Sequence, residues 1–497
     1  MNIGGLDVGS SGAKITVVNQ KGKKLFTGSR EYPVERSAET HEINADDVLE
    51  AVEELLREAA AKVKGITAVG VTSFGESFVV LDKEDRALLP IMMYTDPRGQ
   101  QEADTLRERL GAEFICETAG TSPHPMYSLP KLMWIRNNKP EVFSQIKKVC
   151  LIGDFIVYML TGKRLIDYSL AARTMGLDIR KLEWSKDIFK AAEIDMYMFS
   201  EPVRSGTTAG VVLPEVAREL GVPNDMKVVV CCHDQVAAAI GAGAVYAYLT
   251  ADGGGTVQCI TPVFQKIPEG EFLQKNHYPI IPFAGYNTYC TYAFMFTGGA
   301  LLKWFANQFA DHYQQLSKES GKTVYQLMDE KISDHPTGIL VLPHFAGAAT
   351  PYMDTGSKGV IAGLDLSHTP VDIYQAIMEG IAYEMRINVE RLAEGGIIVD
   401  ALFATGGCAK SEQWLRMKAD ILGMPVTGMD IDEAGTVGGI MLTSVAAGAC
   451  DDLYVATRVF VQPNESYLPR KDVHKEYDRH YQRYRLLYNA VRPLFDI

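Results

Sequence analysis

Two short glycine-rich turns, half a chain apart, constrain this sequence more than anything else in it. The first is Gly5-Leu6-Asp7-Val8-Gly9-Ser10-Ser11-Gly12-Ala13-Lys14, entered from Ile3 and left through Ile15-Thr16-Val17-Val18. A β-branched run after a Gly/Ser turn predicts the second arm of a hairpin. The glycines let backbone N–H groups converge on an anion without obstruction by Cβ, which suits a phosphate. Ser10, Ser11 and Lys14 add donors and positive charge. Asp7, an anion at a phosphate site, makes sense mainly with a cation between the two. Alone, the segment fits an ordinary N-terminal hairpin equally well, because short glycine motifs are weak evidence. A second copy shifts that balance. Thr250-Ala251-Asp252-Gly253-Gly254-Gly255-Thr256-Val257-Gln258-Cys259-Ile260-Thr261 has the same grammar, and Asp252 follows Asp7 by 245 positions in a chain of 497. One phosphate-type hairpin opening each half predicts two related α/β domains facing one nucleotide.

Length agrees, since 497 residues exceed a single core and predict two large domains. We place the boundary near residue 245, giving 1–245 and 246–497. A formal charge of −13 argues against a nucleic-acid surface. It leaves room for local phosphate binding by backbone N–H groups and a metal. No stretch reaches the ~20 apolar residues of a membrane span. The most apolar candidate, Cys150 to Leu160, is short and contains Asp154. The N-terminus enters a strand directly, without a basic region or an apolar signal core, so a cytoplasmic protein is expected. The eight cysteines lack Cys-x-x-Cys spacing and are expected as reduced, mostly buried thiols.

Strands alternate with amphipathic helices. Asp46 to Val63 predicts a helix with Val48, Val52, Leu55, Leu56 and Ala59 on one face. Ile66 to Thr72 predicts a buried strand ending in the turn Ser73-Phe74-Gly75-Glu76, and Pro97 to Leu110 a helix with Pro in its first turn. Lys227 to Cys232 is expected as a strand and Asp234 to Gly243 as the helix after it. In the second half, Ala401 to Ala404 and Pro425 to Thr427 are expected strands. Thr369 to Arg391, Glu412 to Leu422, Thr436 to Ala447 and Lys471 to Leu487 are expected helices. Gly321-Lys322-Thr323 mimics the end of a P-loop, but Leu316 stands where the first glycine is required, so a solvated loop is expected.

The long patterns carry a family resemblance. Met126-Tyr127-Ser128-Leu129-Pro130-Lys131-Leu132-Met133-Trp134-Ile135-Arg136-Asn137-Asn138 is similar to the first signature of the FGGY carbohydrate kinases. Gly359-Val360-Ile361-Ala362-Gly363-Leu364, continuing to Ala376-Ile377-Met378-Glu379, is similar to the second, and Pro343 to Tyr352 resembles the segment before it. The resemblance spans essentially the whole chain. It implies two ribonuclease H-like domains of the actin/hexokinase type around an interdomain cleft. The N-terminal domain would hold the sugar and the catalytic base, and the C-terminal domain the nucleotide. ATP and Mg²⁺ would be required, and the acceptor would be a small sugar or polyol.

His233-Asp234-Gln235 ends a buried strand and opens a helix. A carboxylate there feels the helix's positive end, which favours the ionised form a general base needs. By turn chemistry alone Asp234 would be an N-cap; the resemblance implies the base. His233 is expected to orient or pack. Mg²⁺ would be held mainly by phosphates and water, with Asp7 and Asp234 nearby. On the acceptor side the candidates are Ser73, Phe74, Glu76, Tyr94, Asp96, Arg98, His233 and Asp234. Carboxylates with an Arg offer bidentate partners to hydroxyls, and the Tyr94 ring can lie against the acceptor's apolar face. Asp96 and Arg98 also fit a plain salt bridge at a helix start. Glycerol kinases of this family carry an Arg-Glu pair where this chain has Gly75-Glu76, which disfavours glycerol; xylulokinases usually have a Gly-Gln-Met-His type turn where this chain has Phe74-Gly75-Glu76-Ser77, so a ketopentose such as xylulose is a lead rather than a conclusion. The nucleotide candidates are Asp7, Gly9, Ser10, Ser11, Lys14, Gly255, Thr256, Gly298, Gly299, Gly406, Gly407 and Lys410. Glu433 to Gly439 would close the adenine side, or else serve tight helix packing. Asp167-Tyr168-Ser169 with Ala171-Ala172-Arg173-Thr174 is expected to be mainly structural. An actin- or chaperone-type ATPase and a catalytically degraded sugar-binding protein stay open as alternatives, as does a homodimer.

Overall fold

The computed structural model describes residues 1–269, 272–431 and 433–495. The chain divides into two compact units, each assembled from three segments. Unit 1 is Met1–Val245, Pro279–Cys290 and Glu433–Val461; unit 2 is Tyr246–Tyr278, Thr291–Asp432 and Gln462–Ile497.

Unit 1 is built on strands β1 (Asn2–Val8), β2 (Gly12–Asn19), β3 (Lys24–Glu31), β4 (Ile66–Ser73), β5 (Thr207–Val211) and β6 (Lys227–His233). They form one sheet in the order β5-β6-β4-β1-β2-β3. β1, β2 and β3 are antiparallel, β4 runs parallel to β1, and β6 parallel to β4. In β4 every position except Thr67 is buried, as expected for a strand covered on both faces. Helix α1 (Ala45–Lys62) packs Val48, Val52, Leu55, Leu56 and Ala59 into the same core as Leu6, Ile15 and Val69. The Asn44 side chain caps α1 by accepting from Asp46 N at 2.9 Å. Alternation along the strands aims the intervening residues at the other face. There α2 (Asp234–Gly241) lies with the small-residue helix Ala434–Ala446, close enough for Thr436 Oγ1 to bond Thr16 Oγ1 at 3.2 Å. The helix expected from Pro97 begins at Gln100 instead, because Gly99, at φ 103°, forms its N-cap.

Unit 2 repeats the scheme with β7 (Leu249–Gly254), β8 (Gln258–Phe264), β9 (Ala293–Met295), β10 (Ala401–Gly406), β11 (Val426–Met429) and β12 (Pro463–Tyr467). β7, β8 and β9 are antiparallel; β10 joins β7 in parallel, β11 joins β10 in parallel, and β12 closes the edge. Helices α3 (Gly299–Phe309), α4 (Pro370–Glu394), α5 (Glu412–Leu422) and α6 (Lys471–Val491) accompany these strands. Each unit is thus a hairpin extended by parallel strands, with its glycine turn at the hairpin's tip. Gly321-Lys322-Thr323 joins two helices, and Thr323 caps the second, so it makes no phosphate loop. Among the described residues no helix is long and apolar enough to cross a membrane.

Candidate active site

In unit 1 the first glycine turn closes tightly, Gly9 N donating to Gly12 O at 2.9 Å. The Tyr32 hydroxyl donates to Gly9 O and pins the turn. Asp7 pairs across the hairpin with Lys14. Burial pushes the Asp7 carboxyl up to about 6, although Lys14 pulls it down. Asp7 Oδ1 has no hydrogen-bond partner among the described residues. A buried acceptor with unused capacity beside a Gly/Ser turn is a fit for a divalent cation. Among the described residues no cluster of three or more His, Cys, Asp or Glu side chains could hold a metal by itself. The Lys14 ammonium donates to both oxygens of Glu433, at 3.0 and 2.9 Å. The Glu433 to Gly439 segment accordingly belongs to unit 1, packed tightly on β1 and α2.

Asp234 opens α2 with its side chain 28% exposed, and its carboxylate lies 3.2 Å from His233 Nε2. Ser169 Oγ accepts the His233 backbone N–H at 2.8 Å and so fixes the strand-to-helix turn. Burial, then the charges of Asp7 and Glu76, raise the Asp234 pKa well above the usual carboxylate range. The expected help from the helix's positive end is present as the Gln235 N–H, but burial and the two neighbouring carboxylates outweigh it. Burial and the nearby Arg173 keep His233 neutral, its pKa well below the ordinary imidazole value.

The turn after β4 brings Glu76 to the same place. Glu76 is buried and adopts φ 63°, and Ser128 Oγ donates to its carbonyl at 2.6 Å. Arg173 Nε donates to Glu76 Oε1 at 2.6 Å, and Arg173 lies 5.1 Å above the Tyr127 ring. The Tyr94 hydroxyl is raised by burial and by the charges of Glu76 and Asp234, which places it in this cluster. Ser73 and Phe74 sit beneath the turn: Ser73 is fully buried and Phe74 belongs to the core. Asp96 and Arg98 are absorbed by each other, through bonds of 2.8 and 2.7 Å, and by Glu42. His41 N donates to Asp96 Oδ2 at 2.8 Å, and buried Lys131 donates to the carbonyls of Asp96 and Arg98 at 2.6 and 3.2 Å. Their group is a knot that anchors the segment carrying Tyr94.

In unit 2 the second turn is gathered by α3. Gly299 N donates to Gly255 O at 2.9 Å and Ala300 N to Thr256 O at 3.1 Å. Gly254 pairs with Gly406 across β7 and β10, and a Cβ on Gly254 would overlap Cys408 Sγ. Gly255, Thr256, Gly298, Gly299 and Gly406 therefore meet at one place. Gly406 and Lys410 also line a cavity of about 240 Å³, together with Glu412, Asp430 and Tyr467. Asp252, the counterpart of Asp7, differs from it sharply. Lys418 Nζ donates to Asp252 Oδ2 at 2.6 Å, both side chains are fully buried, and Gln258 Nε2 donates to Oδ1.

The FGGY carbohydrate-kinase N-terminal domain matches residues 2–241, and the C-terminal domain of the same family matches residues 273–447. The chain belongs to the FGGY family of carbohydrate kinases. It is 27% identical to a xylulose kinase of Bacillus subtilis, across 99% of this chain and 97% of that protein. It is 25% identical to a gluconokinase of the same organism, across 95% and 93%. A ligand-bound xylulose kinase from Lactobacillus acidophilus superposes with a TM-score of 0.88 at 25% identity, covering 99% of this chain and 98% of that one. The protein is thus an ATP-dependent sugar kinase of two-domain α/β fold. In this kinase the first family signature supports the group around Glu76 and Asp96: Tyr127 lies under Arg173, Ser128 donates to the Glu76 carbonyl, and Lys131 to the Asp96 carbonyl. Sequence reading took the segment holding Arg173 as mainly structural and did not single out Lys418. Both had a signal: each is a lone cation in an apolar setting, Leu170-Ala171-Ala172-Arg173 and the buried face Trp414-Leu415-Lys418-Ile421.

Proposed function

We propose that this kinase transfers the γ-phosphate of ATP to a hydroxyl of a ketopentose such as xylulose, with Asp234 as general base. The supporting observation is the position of Asp234: at a helix start, part-exposed, and with its carboxylate 3.2 Å from His233 Nε2. Glu76 and Tyr94 would hold the sugar, with His233 setting the turn. Gly9, Ser10, Ser11 and Lys14 would receive the terminal phosphate on unit 1. On unit 2, Gly255, Thr256, Gly298, Gly299, Gly406, Gly407 and Lys410 are the nucleotide candidates. Asp7, with Asp234 nearby, would take Mg²⁺, which when bound neutralises charge on the phosphates. A ketopentose agrees with the xylulose kinase relatives, and a neutral acceptor suits a cluster already rich in carboxylates.

A coupled ADP-release screen over ketoses, aldoses, polyols and sugar acids tests this. Sugar-dependent release, greatest with a ketopentose, is expected. Asp234→Asn is expected to lower kcat by about 10²–10⁴-fold with the KM for ATP little changed. Turnover with no sugar overturns the activity; near-normal turnover in Asp234→Asn removes that residue from the role.

A further inference from the structure

We propose that Arg173 and Glu76 form a charge-balanced fork that binds adjacent hydroxyls of the acceptor and rejects acidic sugars, with Gly75 as the space through which Arg173 reaches it. The inference rests on the sugar-kinase reading above and extends it to acceptor class. Three observations carry it.

The first is fixation. Glu76 holds φ 63°, a left-handed conformation costly for a residue with a Cβ, and is tied through its carbonyl to Ser128. Such a conformation persists where the surroundings over-determine it. Arg173 is equally confined, since each side chain of the pair is only 6% exposed. Its Nε and Nη2 both engage Glu76 Oε1, and the Tyr127 ring supports the guanidinium plane. A planar, preorganised guanidinium beside a carboxylate offers donors and an acceptor at hydroxyl spacing.

The second is room. A Cβ on Gly75 would lie 2.9 Å from Arg173 Cγ and 2.9 Å from His233 Cδ2. Any larger residue at 75 would displace Arg173 or the ring next to Asp234. The glycine and the arginine, 98 positions apart, are one device.

The third is charge. His233 and Arg173 both border Gly75, and His233 Nε2 lies 3.2 Å from the Asp234 carboxylate, so the Glu76–Arg173 pair adjoins a further acid. With Glu76 cancelling Arg173, the remaining charge of the cluster is negative. A neutral polyol loses nothing there, whereas a sugar carboxylate meets like charge without an unspent cation.

A charge swap tests the proposal. The readout is the ratio of kcat/KM for D-gluconate to that for the best neutral sugar of the screen, with the KM for ATP as control. Glu76→Gln leaves Arg173 uncompensated and is expected to raise the ratio at least about tenfold. Arg173→Gln leaves Glu76 uncompensated and is expected to lower it at least about tenfold. Opposite movements cannot come from a merely structural role, which would depress both acceptors alike. Should either single variant fail to fold, the double variant Glu76→Gln/Arg173→Gln carries a neutral pair and is expected to bring the ratio to within about threefold of wild type. A ratio unmoved in all three, or moving the same way in both single variants, overturns the proposal. A wild-type enzyme that prefers sugar acids overturns it too while leaving the sugar-kinase reading intact. A wild-type enzyme inactive on every sugar means that the underlying reading has failed.

Discussion

Glu433 grips the Lys14 ammonium with both of its oxygens on a part-exposed surface, with side-chain exposures of 38% and 49%. Such a pair adds at most ~1 kcal/mol to stability, so its loss is expected to leave the melting temperature nearly unchanged. On the proposed function its effect on ligand binding is larger, because Lys14 would then stand beside the terminal phosphate. Glu433→Gln is expected to lower the KM for ATP by about threefold, measured at low ionic strength where the freed charge is least screened. Gly75 offers the opposite case. Gly75→Ala is expected to cost ~1–3 kcal/mol by overpacking against Arg173 and His233. It should reduce kcat/KM for the sugar while sparing the KM for ATP; thermal melts and steady-state kinetics measure the two effects. The residues of this site were unevenly legible. Asp234, Glu76 and the glycine turns stand out locally by type and spacing. Arg173 and Lys418 depend on partners 97 and 166 positions away, which only the tertiary path brings near.

At the scale of single elements, the helix Ile152–Thr161 carries a buried acid in its first turn. Burial pushes Asp154 up to about 7, against the Ser200 hydroxyl that donates to it at 2.5 Å. Its other oxygen has no partner among the described residues. A carboxyl raised on folding binds more protons folded than unfolded between pH ~4 and about 7, so stability falls as pH rises through that window. Asp154→Asn mimics the protonated acid. It is expected to melt higher than wild type at pH 8 and to match it near pH 4, in paired melts across that range. The second element-scale prediction concerns α5, tied to β7 by Lys418 and Asp252. Lys418→Ala strands a buried carboxylate and is expected to destabilise by ~3–5 kcal/mol. Lys418→Met with Asp252→Leu should recover most of it in chemical unfolding. Strands and helices themselves were readable because burial on both faces leaves continuous apolar runs, as in Lys227–His233, and one-sided burial leaves a 3.6-residue stripe, as in α1. Their ends were less so, since caps such as Gly99 are decided by backbone geometry.

For the molecule as a whole, linear order hides how each unit is closed. The duplicated hairpin announces two related halves. Nothing local in Glu433–Val461, however, signals that it returns to unit 1, where its small residues meet Thr16 and Cys231. A fragment ending at Val245 lacks this helix and leaves one face of its sheet uncovered. It is expected to bind a hydrophobic dye and to melt without cooperativity, whereas the full chain melts cooperatively.

The two halves also differ in how they balance an acid at the same structural position. In one, an amine born of the chain itself sits permanently against the aspartate. In the other, one carboxylate oxygen has no hydrogen-bond partner among the described residues. On the reading proposed above, the enzyme's appetite for magnesium descends from that single unfilled position, and its pace follows the supply of an ion it must borrow at every turnover.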